Sequence, residues 1–264
     1  MPRSSPLLYL SPERVLYRGP LGHPQIRTLG ATAWYLSVDH ALSVACPGGQ
    51  AWRQAGALCV PAGVPHQVDV GHGHVICYLV EQGFSDSSVV GTLGPWAVAG
   101  NGIGWEQATK LSAADLRLWR DAGRQIDVEL DRLLFGHVLP SRLPDPRIAD
   151  ILLRISTDPA RAWLAADAAA HCGLSTSRFM HLFKSEVGVG WRALRAWKRA
   201  RALLACVHTG ENLTQLALSL GYPDGTHFSH AIRQITGLRP SDIISGSRHL
   251  SVWNDSGVSP GTAS

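Results

Sequence analysis

The feature that most constrains this chain is a short unit that occurs twice in its second half. The stretch GLSTSRFMHLFKSEVG begins at Gly173, and the stretch GYPDGTHFSHAIRQITG begins at Gly221. The two copies align with an offset of 48 residues before the turn glycines and 49 residues after them, because the second turn is one residue longer. A repeat of this size predicts two copies of one supersecondary structure within a helical region that extends from Arg147 to about Ser245.

Each copy has the residue types of a helix-turn-helix. Ala169 and Ala217 are small enough for two helices to cross closely, and Gly173 and Gly221 tolerate the positive φ that the turn requires. The alignment also supplies matched N-caps and matched buried pairs for the second helices: Ser175, Phe179 and Phe183 in the first copy, and Asp224, Phe228 and Ile232 in the second.

The opposite face of each second helix carries mostly hydrogen-bonding side chains at helical spacing. These are Ser177, Met180, His181 and Lys184 in the first copy, and Thr226, His227, His230 and Arg233 in the second. Such side chains can read base edges in the major groove of DNA. Two units joined by the basic helix that begins at Trp191 could enter successive major grooves, roughly 34 Å apart. The alternative is two helical hairpins of an ordinary domain whose exposed faces are merely solvated, or which bind another protein.

Charge placement favours the nucleic-acid interpretation. Residues 1–144 contain 11 Lys and Arg and 11 Asp and Glu, whereas residues 145–248 contain 13 and 8, a balance of +5. The positive surplus therefore lies in the part of the chain that contains the repeated unit, as expected for a surface that meets phosphates.

The segment WLAADAAAHCGLSTSRFMHLFKSEVGV, the basic helix and the segment NLTQLALSLGYPDGTHFSHAIRQITGLRPSD together resemble the paired helix-turn-helix domain of AraC/XylS-type transcriptional regulators. The chain departs from the family pattern at Ala193, Ile243 and Ile244, where family members often carry aromatic or aromatic-Arg residues of structural importance. The resemblance places the base-reading residues at Ser177, Met180, His181, Thr226, His227 and His230. We assign contacts with phosphates to the cations Arg178, Lys184 and Arg233. Such contacts position a protein on DNA without specifying sequence.

The first hundred residues predict a strand-rich domain. The stretches RVLYRG, TAWYLSV, ALSVAC, ALCVPAG, HQVDV and HVICYLVEQ are short, rich in Val, Leu, Ile and Tyr, and bounded by Gly and Pro. The family resemblance implies a cupin-like β-barrel that binds an effector or mediates dimerisation. Residues 56–70 are similar to the second cupin motif, but the His-x-His and Glu of metal cupins are absent from residues 23–50, where only His23 and His40 occur. A Gly-rich loop is predicted from Gly91 to Gly104.

A helix is predicted to follow, with Ser112 as its N-cap and Asp115 completing a capping box. A narrow apolar seam runs along it at 3-4-3-4-3 spacing: Leu116, Trp119, Gly123, Ile126, Leu130 and Leu133. The seam either packs on the strand domain of the same chain or pairs with the same helix of a second chain. The breaker-rich stretch LPSRLPDPR then predicts a linker.

Four residues in the strand domain could ligate a metal ion. His66, His72, His74 and Cys77 have the imidazole and thiol groups that suit zinc or copper. The alternative is structural: His72 and His74 lie on a Gly-rich hairpin turn, and His66 remains from the cupin motif. A metal-sensing regulator, a metal-dependent cupin enzyme and redox sensing through Cys46, Cys59 or Cys77 stay as alternatives, and no cofactor is predicted.

These observations predict an α+β multi-domain chain: a cupin-like sensor domain (residues 1–108), a helical segment and linker (109–144), an all-α double helix-turn-helix domain (145–248) and a disordered tail (249–264). They predict a non-enzymatic, sequence-specific transcription regulator with double-stranded DNA, RNA polymerase and a small-molecule effector as partners, and with the potential to form a homodimer. Neither a signal peptide nor an apolar run of membrane-spanning length is visible, and the odd number of irregularly spaced cysteines argues against disulfides, so a cytoplasmic location is predicted.

Overall fold

The computed structural model describes residues 5–38, 41–45, 53–81, 83, 108 and 110–255. Its N-terminal part is built from strands: β1 Leu7–Leu10, β2 Arg14–Pro20, β3 Thr32–Ser37, β4 Leu42–Ala45, β5 Arg53–Ala55, β6 Ala57–Val60, β7 Gln67–Asp69 and β8 His74–Val80. The six strands expected from the sequence are confirmed, and β1 and β5 were not anticipated. Cys46 and the Gly-rich loop at residues 91–104 lie outside the described residues.

The strands of the described residues form two sheets. A six-stranded sheet has the order β6-β3-β8-β2-β1, completed by β9 Ser251–Asn254, and a three-stranded sheet has the order β5-β4-β7. All neighbours are antiparallel except β1 and β9, which pair in parallel. The mixed α+β class is confirmed, while the described hydrogen-bond ladders run as two separate sheets and not as one closed barrel.

Two helices cover one face of the six-stranded sheet, where the sequence predicted a single helix. These are α1 Ala113–Asp121, which begins with the predicted Ser112–Asp115 capping box, and α2 Ile126–Phe135. The single-helix prediction is wrong because Gly123 takes a left-handed φ of +70° and turns the chain. The apolar seam nevertheless continues from α1 to α2. Its residues Leu116, Ile126 and Leu130 are buried against the sheet of the same chain, where they share a core with Leu7, Tyr9, Leu16 and Ile76.

The C-terminal part consists of seven helices in the described range. They are α3 Pro146–Thr157, α4 Ala165–His171, α5 Thr176–Val187, α6 Trp191–Ala205, α7 Leu213–Ser219, α8 Gly225–Thr236 and α9 Pro240–Gly246. None of the helices in the described residues is both long and apolar enough to cross a bilayer.

The end of the chain returns to the N-terminal sheet. Ser251–Asn254 form β9, in which Leu8 is paired with Val252 and Tyr9 with Trp253. The predicted disordered tail from residue 249 is therefore wrong for this segment, because the exposed edge of β1 supplies hydrogen-bond partners that local sequence does not reveal. Residues 256–264 lie outside the described residues.

The second face of the six-stranded sheet shares one hydrophobic core with the C-terminal helices. Leu8, Leu10 and Leu79 of the sheet belong to the same cluster as Ile148 of α3 and Trp197 of α6. Neighbouring residues of a strand point to opposite faces, which explains why Leu7 and Tyr9 contact the α1–α2 pair while Leu8 and Leu10 contact this core. The sheet is thus buried on both sides, and its second face shares a core with the helical part of the chain that contains the repeated unit.

Candidate nucleic-acid interface

The first repeated unit, α4 and α5, has the helix-turn-helix geometry that its residues predict. Gly173 takes a φ of +65°, and the amide of Leu174 donates to the carbonyl of Ala169 at 2.9 Å. Ser175 caps α5, its Oγ accepting from the amide of Arg178 at 3.4 Å. The buried face of α5 carries Phe179, Phe183 and Val187, and both phenylalanine rings lie edge-on to Trp191 with centroids 5.2 Å away.

The second unit, α7 and α8, repeats this geometry. Gly221 takes a φ of +74°, and the amide of Tyr222 donates to the carbonyl of Ala217 at 2.9 Å, the same bond at the same length as in the first unit. Asp224 caps α8, its Oδ1 accepting from the amide of His227 at 2.8 Å. Phe228, Ile232 and Ile235 form the buried face. Gly173 and Gly221 thus lie in the turns with a positive φ, and Ala169 and Ala217 are buried on the first helices of the two units.

Most side chains predicted to contact DNA lie on the solvent side of α5 and α8, and the exposed faces that they form are called the reading stripes. The exposed residues are Ser177, Arg178, His181 and Lys184 on α5, and Thr226, His227, His230 and Arg233 on α8. Met180 differs, because it is half-buried and packs against the core. Eight of the nine side chains proposed to contact DNA are therefore free of the core, and Met180 offers a smaller surface than its place on the helix suggested.

One predicted reader also supports the cap of its own helix. The Nδ1 atom of His227 lies 2.7 Å from Oδ2 of Asp224, in addition to the bond made by the His227 amide. These bonds, the backbone bond foremost, hold the pKa of Asp224 below its usual range. A carboxylate at the start of α8 also interacts favourably with the helix dipole. Asp224 thus holds the ring of His227 through its Nδ1 atom in the absence of DNA.

The basic helix α6 uses most of its cations within the protein. Arg195 donates to the carbonyls of Arg161 and Trp163, and Arg199 donates to those of Leu220 and Gly221. The two arginines are four residues apart, so one face of α6 binds the segment before the first unit and the turn of the second.

Two further cations of α6 face the sheet. Lys198 forms a buried ion pair with Glu81, and Arg201 lies 3.2 Å from the same carboxylate. Burial alone would raise the pKa of Glu81, but the ion pairs with Lys198 and Arg201 lower it overall. The charge surplus of residues 145–248 therefore overstates the charge available to phosphates. This network was not predicted from the sequence, although Lys198 continues the apolar spacing set by Trp191 and Leu194 along a helix.

The predicted metal candidates do not form a site. The two ring nitrogens of His66 lie 2.8 Å from the hydroxyl of Tyr35 and 2.8 Å from the carbonyl of Val64, and His72 is exposed at the turn between β7 and β8. Within the described ranges no three His, Cys, Asp or Glu residues are grouped to hold an ion. The structural interpretation of His66 and His72 accounts for their positions, and His74 and Cys77 follow along β8.

The described cysteines of the strand domain lack the environment of a redox sensor. Burial raises the pKa of Cys59 to about 12 and that of Cys77 to about 11. The reactive form of a cysteine is the thiolate, which both environments disfavour at neutral pH. Redox sensing through Cys59 or Cys77 is therefore not supported.

Comparison with known proteins places the repeated unit in a family context. Residues 168–245 match the family model described as Helix-turn-helix domain. A protein of Streptomyces lividans that carries the description AraC-like transcription regulator is 33% identical over 101 residues, which are 38% of this chain and 33% of that protein. The arabinose operon regulatory protein of Salmonella typhimurium is 30% identical over 106 residues, 39% of this chain and 37% of that protein. The chain spans about a third of the length of these curated relatives.

The whole described architecture also has a structural likeness. The crystal structure of an apo ToxT variant from Vibrio cholerae aligns with a TM-score of 0.55 and 9% identity, covering 88% of this chain and 97% of that chain. At this identity the likeness is one of fold: a strand-rich N-terminal part followed by paired helix-turn-helix units.

Proposed function

We propose that this chain, which carries the helix-turn-helix domain of AraC-type regulators, is a sequence-specific DNA-binding transcription regulator. The observation that carries the proposal is the pair of matched units, each with a buried phenylalanine face and an exposed polar face on its second helix. A single helix, α6, is bonded to the turn of one unit and to the segment that precedes the other. Paired recognition helices held in this way suit double-stranded DNA read in the major groove.

The contacts divide by chemistry. Ser177, Met180 and His181 of α5 are assigned to one group of bases, and Thr226, His227 and His230 of α8 to a second. The cations beside them, Arg178, Lys184 and Arg233, are assigned to phosphates. All of these side chains except Met180 are exposed to solvent, which supports their contact with DNA.

We assign effector sensing to the strand-rich N-terminal part and relate its two sheets to a cupin-like domain. Dimerisation of the chain is a second role that this part could have. What supports coupling is the shared hydrophobic core between the sheet and the helices. A ligand that prefers one arrangement of this core would shift the population of DNA-binding states. RNA polymerase is the further partner that a regulator of this type needs, and the cytoplasm is the compartment in which it would act.

The test begins with genome-wide footprinting of the purified chain, followed by binding titrations on the recovered operator at several salt concentrations. His230→Ala should relax discrimination at one base position by about 1–3 kcal/mol. Arg233→Ala should weaken binding evenly across sequences and reduce the salt slope by about 1. Arg124→Ala is the matched control, because it removes an exposed arginine from the turn between α1 and α2, which lies outside both units.

Two results would contradict the proposal at different levels. Unchanged base preferences in His230→Ala would remove that residue from the reading surface. A wild-type chain that gives no sequence-dependent footprint, and whose retention on DNA does not depend on salt, would instead leave the exposed stripes as a protein-binding surface.

A further inference from the structure

The N-cap of α8 holds one of the predicted base readers through both oxygens of a carboxylate. Oδ1 of Asp224 accepts from the amide of His227 at 2.8 Å, and Oδ2 lies 2.7 Å from Nδ1 of the ring of the same residue. The bond to the amide is the capping bond of the helix, so it determines where the carboxylate lies. The ring of His227 is therefore held by a group whose own position is set by the start of α8.

The chemistry of this contact determines which ring nitrogen carries the hydrogen. The bonds from His227, the backbone bond foremost, hold the pKa of Asp224 below its usual range, so the group is ionised at neutral pH. A carboxylate has acceptor atoms only, and Nδ1 must therefore supply the hydrogen that lies between the two side chains. A neutral imidazole has a single N–H group, so its Nε2 atom keeps a lone pair and acts as an acceptor.

The side chain that carries this acceptor is exposed on the reading stripe of α8. The side chain of His227 is 70% exposed, and Thr226 and His230 beside it are exposed as well. In the major groove an acceptor is matched by an exocyclic amino group, which adenine presents at N6 and cytosine at N4. Guanine and thymine present acceptors and, in thymine, a methyl group. The held ring of His227 therefore suits an amino group and not the edge of guanine.

We propose that Asp224 is a positioning residue that keeps the neutral ring of His227 in the form protonated at Nδ1, so that Nε2 accepts from the amino group of adenine or cytosine. The inference rests on the proposed function and deepens it, because it names the chemical group that one reading residue recognises. The two bases share this group, and the experiment below distinguishes them.

The first unit has a different arrangement at the matching place. Arg178 occupies the position of His227 in the alignment of the two units, and its amide donates to Oγ of Ser175 at 3.4 Å. A hydroxyl group has one oxygen where a carboxylate has two, and a guanidinium has donors only. The first unit therefore presents donors at this place, which suits the phosphate contact assigned to Arg178, whereas the second unit presents an acceptor.

The first test examines the ring in the absence of DNA. Nitrogen-15 NMR of the full chain near pH 8 identifies the protonated nitrogen of each imidazole, and the spectrum of His227→Ala assigns the signals of this ring. We expect a neutral ring with its hydrogen on Nδ1. Asp224→Asn should move the hydrogen to Nε2, because the amide oxygen still caps α8 and the NH2 group then donates to Nδ1. A wild-type ring protonated at Nε2, or an unchanged ring in Asp224→Asn, would overturn the proposal.

The second test examines the base. Duplexes of the operator recovered by footprinting are altered at the position where His227→Ala relaxes discrimination: purine replaces adenine, or 2-pyrimidinone replaces cytosine, and each analogue lacks the amino group. Loss of that group should weaken binding of the wild-type chain by roughly fivefold. The analogue that has this effect identifies the base. Binding by His227→Ala and by Asp224→Asn should be insensitive to the analogue, and wild-type binding that is insensitive to both analogues would overturn the proposal.

Ser175→Asn is the matched control. It places the same amide at the cap of α5, where the neighbouring residue is Arg178, and it should leave both the ring of His227 and the effect of the analogue as in the wild-type chain. If Asp224→Asn fails to fold, Asp224→Ser provides a cap with one oxygen, which reaches the helix amide and leaves the ring free. This variant should show a mixture of the two neutral forms, and a ring still protonated only at Nδ1 would contradict the role of Asp224.

The two tests also separate this inference from the proposed function. A sequence-dependent footprint with no effect of the analogues would overturn the assigned base contact and leave the regulator assignment intact. A ring protonated at Nδ1 in a chain without any sequence-dependent footprint would overturn the regulator assignment, and with it the base contact, while the role of Asp224 in holding the ring would stand.

Discussion

The two helix-turn-helix units have nearly the same internal geometry, but they contact different parts of the rest of the chain. Each has a left-handed glycine in its turn and another at the end of its second helix, one 2.9 Å bond from the turn to the first helix and one capped second helix. The second unit is additionally hydrogen-bonded to the loop between β2 and β3: the amide of Gln25 donates to Gly237 at 2.9 Å, and that of Thr28 donates to Gln234 at 3.2 Å.

The first unit is attached by a different part of the chain. Glu186 of α5 accepts from Arg142 of the linker at 2.9 Å. Val189, just after α5, lies near Gly63 of the loop between β6 and β7, close enough that a Cβ added at Gly63 would meet it. The duplication therefore determines how each unit presents its reading helix, while residues outside the repeat determine which unit the strand-rich part can influence. From this comparison we expect the strand-rich part to influence the second unit more than the first.

The largest effect should come from the anchor that the two units share. Glu81→Gln removes the negative charge between Lys198 and Arg201 and leaves the buried Lys198 and the partly buried Arg201 on α6 without it. Breaking a buried pair in this way costs about 3–5 kcal/mol. We expect a loss of unfolding free energy in this range by urea titration, with hydrogen exchange accelerated in both units alike.

Glu129→Gln is the matched control for this substitution. Glu129 also lies beside two arginines, Arg124 at 3.5 Å and Arg132 at 2.9 Å, but both arginine side chains are more than half exposed. Exposed pairs contribute about 0–1 kcal/mol. Equal losses for the two variants would show that Glu81 does not anchor α6, and faster exchange confined to one unit would show that the anchor is not shared.

A smaller and more selective effect should distinguish the two turns. A Cβ at Gly221 would overlap the carbonyl oxygen of Ala160, between α3 and α4, whereas a Cβ at Gly173 meets nothing within 4 Å. Alanine in the left-handed region costs about 1–2 kcal/mol at either site. The overlap adds about 1–3 kcal/mol at Gly221 alone. Urea unfolding should therefore place Gly221→Ala below Gly173→Ala, and equal losses would mean that the Ala160 segment moves aside freely.

The contrast between the units also shows what could be predicted from the sequence. The turn glycines and the caps Ser112, Ser175 and Asp224 were predictable because they act within a few residues of themselves. The break at Gly123 was not, since the apolar spacing of the seam continues on both sides and both halves pack on the same face of the sheet. Local spacing indicates which residues are buried more reliably than where a helix ends.

The features that couple the two parts of the chain were the least predictable. Arg27 has the sequence context of an ordinary surface cation, and Lys198 is marked only by its place in the apolar spacing of α6. Both are buried: Arg27 lies over the ring of Tyr35 and pairs through its backbone with His66, and Lys198 pairs with Glu81. The strand β9 likewise requires the edge of β1, more than 240 residues away in the chain. Periodicity describes one element at a time, so it cannot report such pairings.

The smallest expected effect separates the two caps. Asp224 accepts at 2.8 Å and also binds the ring of His227, whereas Ser175 accepts at 3.4 Å from an amide alone. Asp224→Ala should therefore speed hydrogen exchange in the first turn of α8 more than Ser175→Ala does in the first turn of α5. Substituting a polar N-cap by alanine exposes an unpaired helix amide, so both changes act locally.

The pH dependence of the caps gives this last comparison its sharper form. The pKa of Asp224 is lowered in the folded protein, chiefly by the bond from the His227 amide, so its stabilising effect is complete above the ordinary aspartate pKa of about 3.9 and is lost as the pH falls through the lower folded value. The hydroxyl of Ser175 does not titrate in this range. Exchange rates, corrected for the intrinsic pH dependence, should thus show the effect of Asp224→Ala fading with acid while that of Ser175→Ala stays constant. If both effects were independent of pH, the cap of α8 would owe nothing to the charge of Asp224, and the two units would begin their reading helices in the same way.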